Sequence, residues 1–221
     1  MLAVLLALAI GDLGSRRERL LSFGVAGELD GVTLDLGAAG VDVERAAQGS
    51  TVRVERTDRF AFGHAARVTR SIDAGRLRLR SRCPRTVLHA CSVAYRVIVP
   101  DNVPIDVRTS GGDVRFHGYR GSARVSTDSG DIAVQGFCGF TLVARTETGD
   151  VTASTACPPP QLSLRSTAGD VRATVPAGRY QVDAASAAGA LSVRGVTAVS
   201  DAPFSIEVLS STGDVSVRGN R

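Results

Sequence analysis

Between residues 105 and 221 the chain repeats one short pattern six times, which restricts it to architectures that stack like units. The copies read Thr-Ser-Gly-Gly-Asp-Val at 109–114, Thr-Asp-Ser-Gly-Asp-Ile at 127–132 and Thr-Glu-Thr-Gly-Asp-Val at 146–151. They continue as Ser-Thr-Ala-Gly-Asp-Val at 166–171, Ser-Ala-Ala-Gly-Ala-Leu at 186–191 and Ser-Ser-Thr-Gly-Asp-Val at 210–215. The marker glycines Gly112, Gly130, Gly149, Gly169, Gly189 and Gly213 are spaced by 18, 19, 20, 20 and 24 residues.

Aligned on that glycine, the copies show four apolar columns. Two residues after it stand Val114, Ile132, Val151, Val171, Leu191 and Val215, and four after it Phe116, Val134, Ala153, Ala173, Val193 and Val217. Five before it stand Val107, Val125, Ala144, Leu164, Ala184 and Val208, and seven before it Ile105, Ala123, Leu142, Leu162, Val182 and Ile206. The positions between them are mixed or polar. Period-two alternation of this kind predicts a half-buried strand on each side of the turn.

Three residues before the glycine lies a hydroxyl column, Thr109, Thr127, Thr146, Ser166, Ser186 and Ser210, which shares the inward parity. No base stands at fixed spacing from it, so the hydroxyls read as turn-bonding and stacking groups, not nucleophiles. The carboxylate column Asp113, Asp131, Asp150, Asp170 and Asp214 is interrupted by Ala190. One carboxylate per turn is too few for a calcium repeat, so these aspartates read as solvated turn formers.

Repeats of this length either coil as a solenoid or zigzag as hairpins, and the cysteines discriminate. Cys138 and Cys157 each follow their marker glycine by eight residues. In a solenoid, equivalent positions sit one strand spacing apart, roughly 4.8 Å, inside the Cα window of a disulfide. In a meander they would be roughly 9.6 Å apart, beyond it. Pairing of Cys138 with Cys157 therefore favours the solenoid and leaves Cys83 to pair with Cys91. Zinc is disfavoured, since Cys-x-x-Cys is absent and His64, His89 and His117 are scattered. The expected fold is an all-β, right-handed β-solenoid of about six coils over residues 101–221. A less regular β region over 23–100 caps it, and 1–22 is set apart as a truncated signal or membrane-anchor segment with its linker.

That first segment opens with the apolar run Met1–Ile10, followed by Arg16, Arg17 and Arg19. Ten residues of helix rise about 15 Å, half of the roughly 30 Å hydrocarbon core, which suits a signal core or the remnant of a longer anchor. All 26 basic residues are arginine. Twelve of them fall between 45 and 96, against three carboxylates, so the basic character is concentrated there. Arg76, Arg78 and Arg80 alternate with Leu77 and Leu79, which puts three guanidinium groups on one strand face. That face suits an anionic envelope polymer or lipid headgroups.

The Gly-Asp-(Val/Ile) repeats, the Cys83–Cys91 pair and Tyr95-Arg-Val-Ile-Val-Pro100 together resemble the bacterial "putative adhesin" family of unknown function. The resemblance covers roughly residues 28–221. It implies an exported β-helical envelope protein, with some relatives linked to envelope-stress sensing, and it carries over no catalytic residues. Ala190 and the linker Cys157-Pro-Pro-Pro160 depart from the family pattern.

The functional expectation is a non-catalytic, exported or membrane-anchored envelope scaffold, adhesin-like, that binds or spaces something and needs no cofactor or metal. A stress sensor acting through a membrane protein is the alternative. A polysaccharide-active enzyme is disfavoured: it needs carboxylates off the repeat register and sugar-stacking aromatics, and the chain has no Trp and 5% aromatic residues. Nucleic-acid binding is not expected, because no recognition motif accompanies the basic segment.

Overall fold

The alternating columns form strands in the computed structural model, which describes residues 16–47, 50–85 and 91–220. The N-terminal part contains β1 (Arg17–Gly24), β2 (Gly31–Arg45), β3 (Arg53–Phe60), β4 (Arg67–Asp73), β5 (Arg76–Arg82) and β6 (Cys91–Val99). Marker copies one and two are β7 (Ile105–Gly111) with β8 (Val114–His117), then β9 (Ala123–Ser129) with β10 (Ile132–Phe137). Copies three and four are β11 (Thr141–Thr148) with β12 (Val151–Thr155), then β13 (Gln161–Ala168) with β14 (Val171–Pro176). Copy five is β15 (Arg179–Ser186) with β16 (Leu191–Arg194); after the short β17 (Thr197–Ala198), copy six is β18 (Ser205–Thr212) with β19 (Val215–Asn220).

The strand before each turn lies in sheet I and the strand after it in sheet II. Sheet I runs β4-β5-β2-β7-β9-β11-β13-β18-β15, parallel throughout except for β4. Sheet II runs β1-β3-β6-β2-β8-β10-β12-β14-β19-β16, where only β1 and β3 are antiparallel additions. Like columns meet in register, as Ile132 does with Val114 on one side and Val151 on the other. Such parallel pairing is that of stacked rungs, and the meander is excluded because its neighbours would be antiparallel. Between the sheets the columns bury one continuous core, with Val107, Val125, Ala144, Leu164 and Val208 all at 0% exposure.

The rungs do not follow chain order. Copy six stacks directly on copy four, and copy five lies beyond it at the end of the stack. The 24-residue spacing, the longest of the set, falls where the chain must double back to make this insertion. The unusual triproline linker meets the inserted rung, since the carbonyl of Pro160 accepts the Ser205 amide at 3.1 Å. The other end is interleaved too, with β2 lying between β5/β6 and β7/β8.

The expected boundary at residue 100 is therefore no break in the sheets. β2 is an unmarked copy in which Ala39-Gly40 occupies the place of Gly112-Asp113, as the pairings of Ala38 with Gly111 and Val41 with Val114 require. β5 and β6 form another, joined by the Cys83–Cys91 segment in place of a Gly-Asp turn. Only β1, β3 and β4 behave as an irregular cap. Arg17 to Ser22, expected in the linker, are paired in β1, while residues 1–15 lie outside the described residues. The two disulfides join Cys83 to Cys91 and Cys138 to Cys157, with Cα separations of 5.8 and 5.1 Å.

The signature residues bond from rung to rung. Ser166 donates to the carbonyl of Gly149, Ser210 to that of Gly169 and Ser186 to that of Gly213, at 2.7–2.8 Å. The aspartates do more than form turns in water. Asp131 Oδ1 accepts the Asp150 amide, Asp150 Oδ1 the Asp170 amide and Asp170 Oδ1 the Asp214 amide, at 2.8–2.9 Å. Asp214 Oδ1 in turn accepts the Ala190 amide at 2.8 Å. Ala190 thus sits where no further rung follows among the described residues, so a carboxylate there would have no amide among them to receive. The break in the aspartate series is explained by the spatial order of the rungs. The Asp170 carboxyl is held below its ordinary range, first by the Asp214 amide and then by Arg172.

Candidate functional site

The hydroxyls, glycines and aspartates of the repeat are occupied in holding rungs together, so a binding site must be sought on the outward faces. On sheet II Arg96 bonds Glu44 and Glu55, Arg115 bonds Asp113 and Arg172 bonds Asp170, while Arg194 and Arg218 lie side by side near one end without an ion pair among the described residues. Sheet I carries arginines from several separate rungs along its middle.

Its strands turn inward the buried columns, including Leu77, Leu79 and Ser81 of β5, and outward the residues between them. Parallel register then aligns outward residues from remote parts of the chain. One column reads Arg80, Asp35, Arg108, Ser126, Arg145 and Arg165 along successive rungs. The column beside it reads Arg78, Thr33, Asp106, Arg124, Val143 and Ser163. Of the arginines singled out in the sequence, Arg78 and Arg80 are exposed on this face, and Arg76 is half-buried with its guanidinium against Gly31.

Arg108, Arg124, Arg145 and Arg165 were not recognised from sequence. Each sits singly in a different repeat, and only parallel register gathers them beside Arg78 and Arg80. The signal was present four before the marker glycine, where Arg108, Ser126, Arg145 and Arg165 are polar and only Ala185 and Leu209 are not.

Part of this charge is neutralised. Asp35 holds Arg82 at 2.7 Å and Arg80 at 3.5 Å, and Asp106 holds Arg108 at 3.3 Å. Glu207 is bonded by Arg165 and, at 2.5 Å, by Ser163. These donors, Arg165 foremost, hold the Glu207 carboxyl below its usual range. Arg78, Arg124 and Arg145 have no ion pair among the described residues. Arg124 and Arg145 border a groove of about 600 Å³ whose other walls include Ser126, Thr141, Gln161 and Ser163, with the ion pair Arg165–Glu207 at one side. Unpaired guanidinium groups among hydroxyl and amide side chains suit an anionic, hydrogen-bonding ligand.

In the same groove Ser163 donates to Glu207, whose carboxyl Arg165 holds below its usual range. Another polar pair, Arg56 with Asp58 at 2.6 Å in β3 of the N-terminal cap, is largely buried, Asp58 being 1% exposed. No group of His, Cys, Asp and Glu fit to hold a metal occurs among the described residues. No helix among them is long and apolar enough to cross a membrane.

Comparison with known proteins agrees with this architecture. The profile of the family described as Toastrack DUF4097 matches residues 101–218. A "putative cell adhesion protein" from Clostridium sporogenes superposes with a TM-score of 0.56 at 10% identity, covering 92% of this chain and 100% of the other. A "putative adhesin" from Bacteroides fragilis covers 92% of this chain and 97% of its own, at 12% identity and a TM-score of 0.48. No curated protein matches the chain.

Proposed function

We propose that this chain, which belongs to the Toastrack DUF4097 family, is a non-catalytic cell-envelope scaffold, exported or membrane-anchored, that adheres through the outward face of sheet I. In this reading its marked copies wind as right-handed coils of a β-solenoid. The stack is the rigid support, and the arginine columns are what it displays. The ligand is the anionic surface of the envelope, a phosphate-bearing polymer or lipid headgroups. The observation that carries this reading is the convergence of Arg78, Arg124 and Arg145, from three separate rungs, on one face with no carboxylate in ion-pair contact among the described residues, Glu207 acting on Arg145 only at longer range. The disulfides Cys83–Cys91 and Cys138–Cys157 support an oxidising location outside the cytoplasm.

Replacing Arg78, Arg124 and Arg145 together by Glu is the test, since all three are exposed and their loss leaves the core intact. Each arginine near an anionic surface contributes about 1 kcal/mol, so the triple variant should bind anionic vesicles at least roughly a hundredfold more weakly. Co-sedimentation with phosphatidylglycerol vesicles and with a soluble polyphosphodiester, each at low salt, measures this and separates the two ligand sources. Binding by the native chain should fall steeply as salt rises. Equal binding by the native chain and the triple variant at low salt would refute the reading.

A further inference from the structure

The two ends of the stack are finished differently. At the N-terminal end, antiparallel β1, β3 and β4 close the rungs, and the edge strands β1 and β4 intersperse Arg17, Glu18, Arg19, Arg67 and Arg70 with the exposed apolar residues Leu20, Leu21 and Ile72. Charged edges of this kind discourage further pairing. At the far end, β15 and β16 are paired to β18 and β19 on one side. On the other side, the short β17 covers only Arg179 and Tyr180.

This free end is apolar. Leu191 and Val193 are 52% and 40% exposed, although their columns are buried in every other marked copy. The aspartate ladder excludes one kind of neighbour. Each inner rung offers a carboxylate to the amide of the next, and Ala190 offers none. The end is therefore not prepared for another parallel rung of the same register, and β17 blocks such a rung at its base.

An antiparallel neighbour fits instead. The carbonyl of Ala190 accepts the Val215 amide, so alternation turns the backbone groups of Leu191 and Val193 to the open side. Set against itself about a two-fold axis through Ser192, β16 brings Leu191 opposite Val193 of the second copy and Val193 opposite its Leu191. Ser192 then meets Ser192, and Arg194 falls opposite Ala190, so like charges do not meet. The same axis crosses the rung and carries β15, with half-buried Val182 and Ala184, against its copy.

We propose that the chain forms an end-to-end two-fold dimer through the open edges of β15 and β16, with Leu191 and Val193 completing the core across the junction. A single rung is a small interface, so association is expected to be reversible and concentration-dependent. Closed symmetry stops it at two copies.

Sedimentation velocity of the full chain over a rising concentration series should show the mass moving from 23.0 kDa toward twice that value. Leu191→Asp with Val193→Asp should abolish the dimer while keeping the native β-sheet circular dichroism. Ser192→Cys should give an interchain disulfide on a non-reducing gel. Ser216→Cys, in the same column one rung inward, should give none. A monomer at every concentration would overturn the proposal, and so would open-ended polymers. So would a dimer that survives the double substitution while the Ser192→Cys variant stays unlinked, since that places association elsewhere, such as at the apolar residues 2–10.

Discussion

Ending the chain at Ser200 is expected to abolish cooperative folding, although 200 of 221 residues and five of the six marked copies remain. In a stack that followed chain order, this change would trim a terminal coil and leave the rest whole. Here it removes the rung between copies four and five, so β15 and β16 lose the neighbours that hold them and β13 and β14 become open edges. The core contribution lost is large. Ile206, Val208, Val215 and Val217 are each at most 1% exposed. Their loss also leaves the facing apolar columns of copies four and five open to water, so the remaining chain keeps a core that is no longer closed at that end. Circular dichroism and thermal unfolding of the truncated chain check this. A cooperative transition within a few degrees of the native one would contradict the inserted position of copy six.

A second large effect is expected from Gly213→Ala. Gly213 adopts φ +140, a backbone region that side chains disfavour by about 1–3 kcal/mol. A Cβ there would also lie 2.2 Å from the carbonyl oxygen of Gly169 in the rung below. That oxygen is backbone, bonded by the Ser210 hydroxyl, and cannot rotate away as a side chain would. The substitution must separate two rungs or break the turn, and a loss of at least about 3 kcal/mol is expected, beyond the conformational cost alone. Gly118→Ala is the control. Gly118 has φ +62 but nothing within 4 Å of its would-be Cβ, so it should lose only about 1–2 kcal/mol. Chemical denaturation of both variants separates strain at one residue from contact between rungs. Equal losses would show that the marker glycine is selected for its turn alone.

Much of this architecture was legible in the sequence because its determinants are local or repeat at a fixed interval. Alternation around each marker glycine located the strands, and the equal phase of Cys138 and Cys157 distinguished stacking from zigzag. What the sequence concealed depends on which rung lies beside which. Nothing local distinguishes copy five from copy six as neighbour of copy four. Two oddities carried the information without explaining themselves: the 24-residue spacing before Gly213 and the alanine at 190. The copies formed by β2 and by β5 with β6 were hidden for a related reason. β2 has Ala39-Gly40 at the marker, and β5 and β6 replace the marker turn with a disulfide-closed segment. The functional face was half legible. Arg76, Arg78 and Arg80 lie on one strand and announce themselves, whereas Arg124 and Arg145 become neighbours of that face only through parallel register.

The central claim is that the Gly-Asp signature is a rung-to-rung ladder whose spatial order places the chain's last copy inside the stack. Residue-resolved hydrogen exchange on the dilute, monomeric protein tests it most directly. The account predicts that the amides of Val208, Val215 and Val217 exchange as slowly as those of Leu164 and Val151. The amides of Leu191 and Val193, facing an open edge earlier in the chain, should exchange orders of magnitude faster. Protection that declines steadily from copy four through copy five to copy six would contradict it.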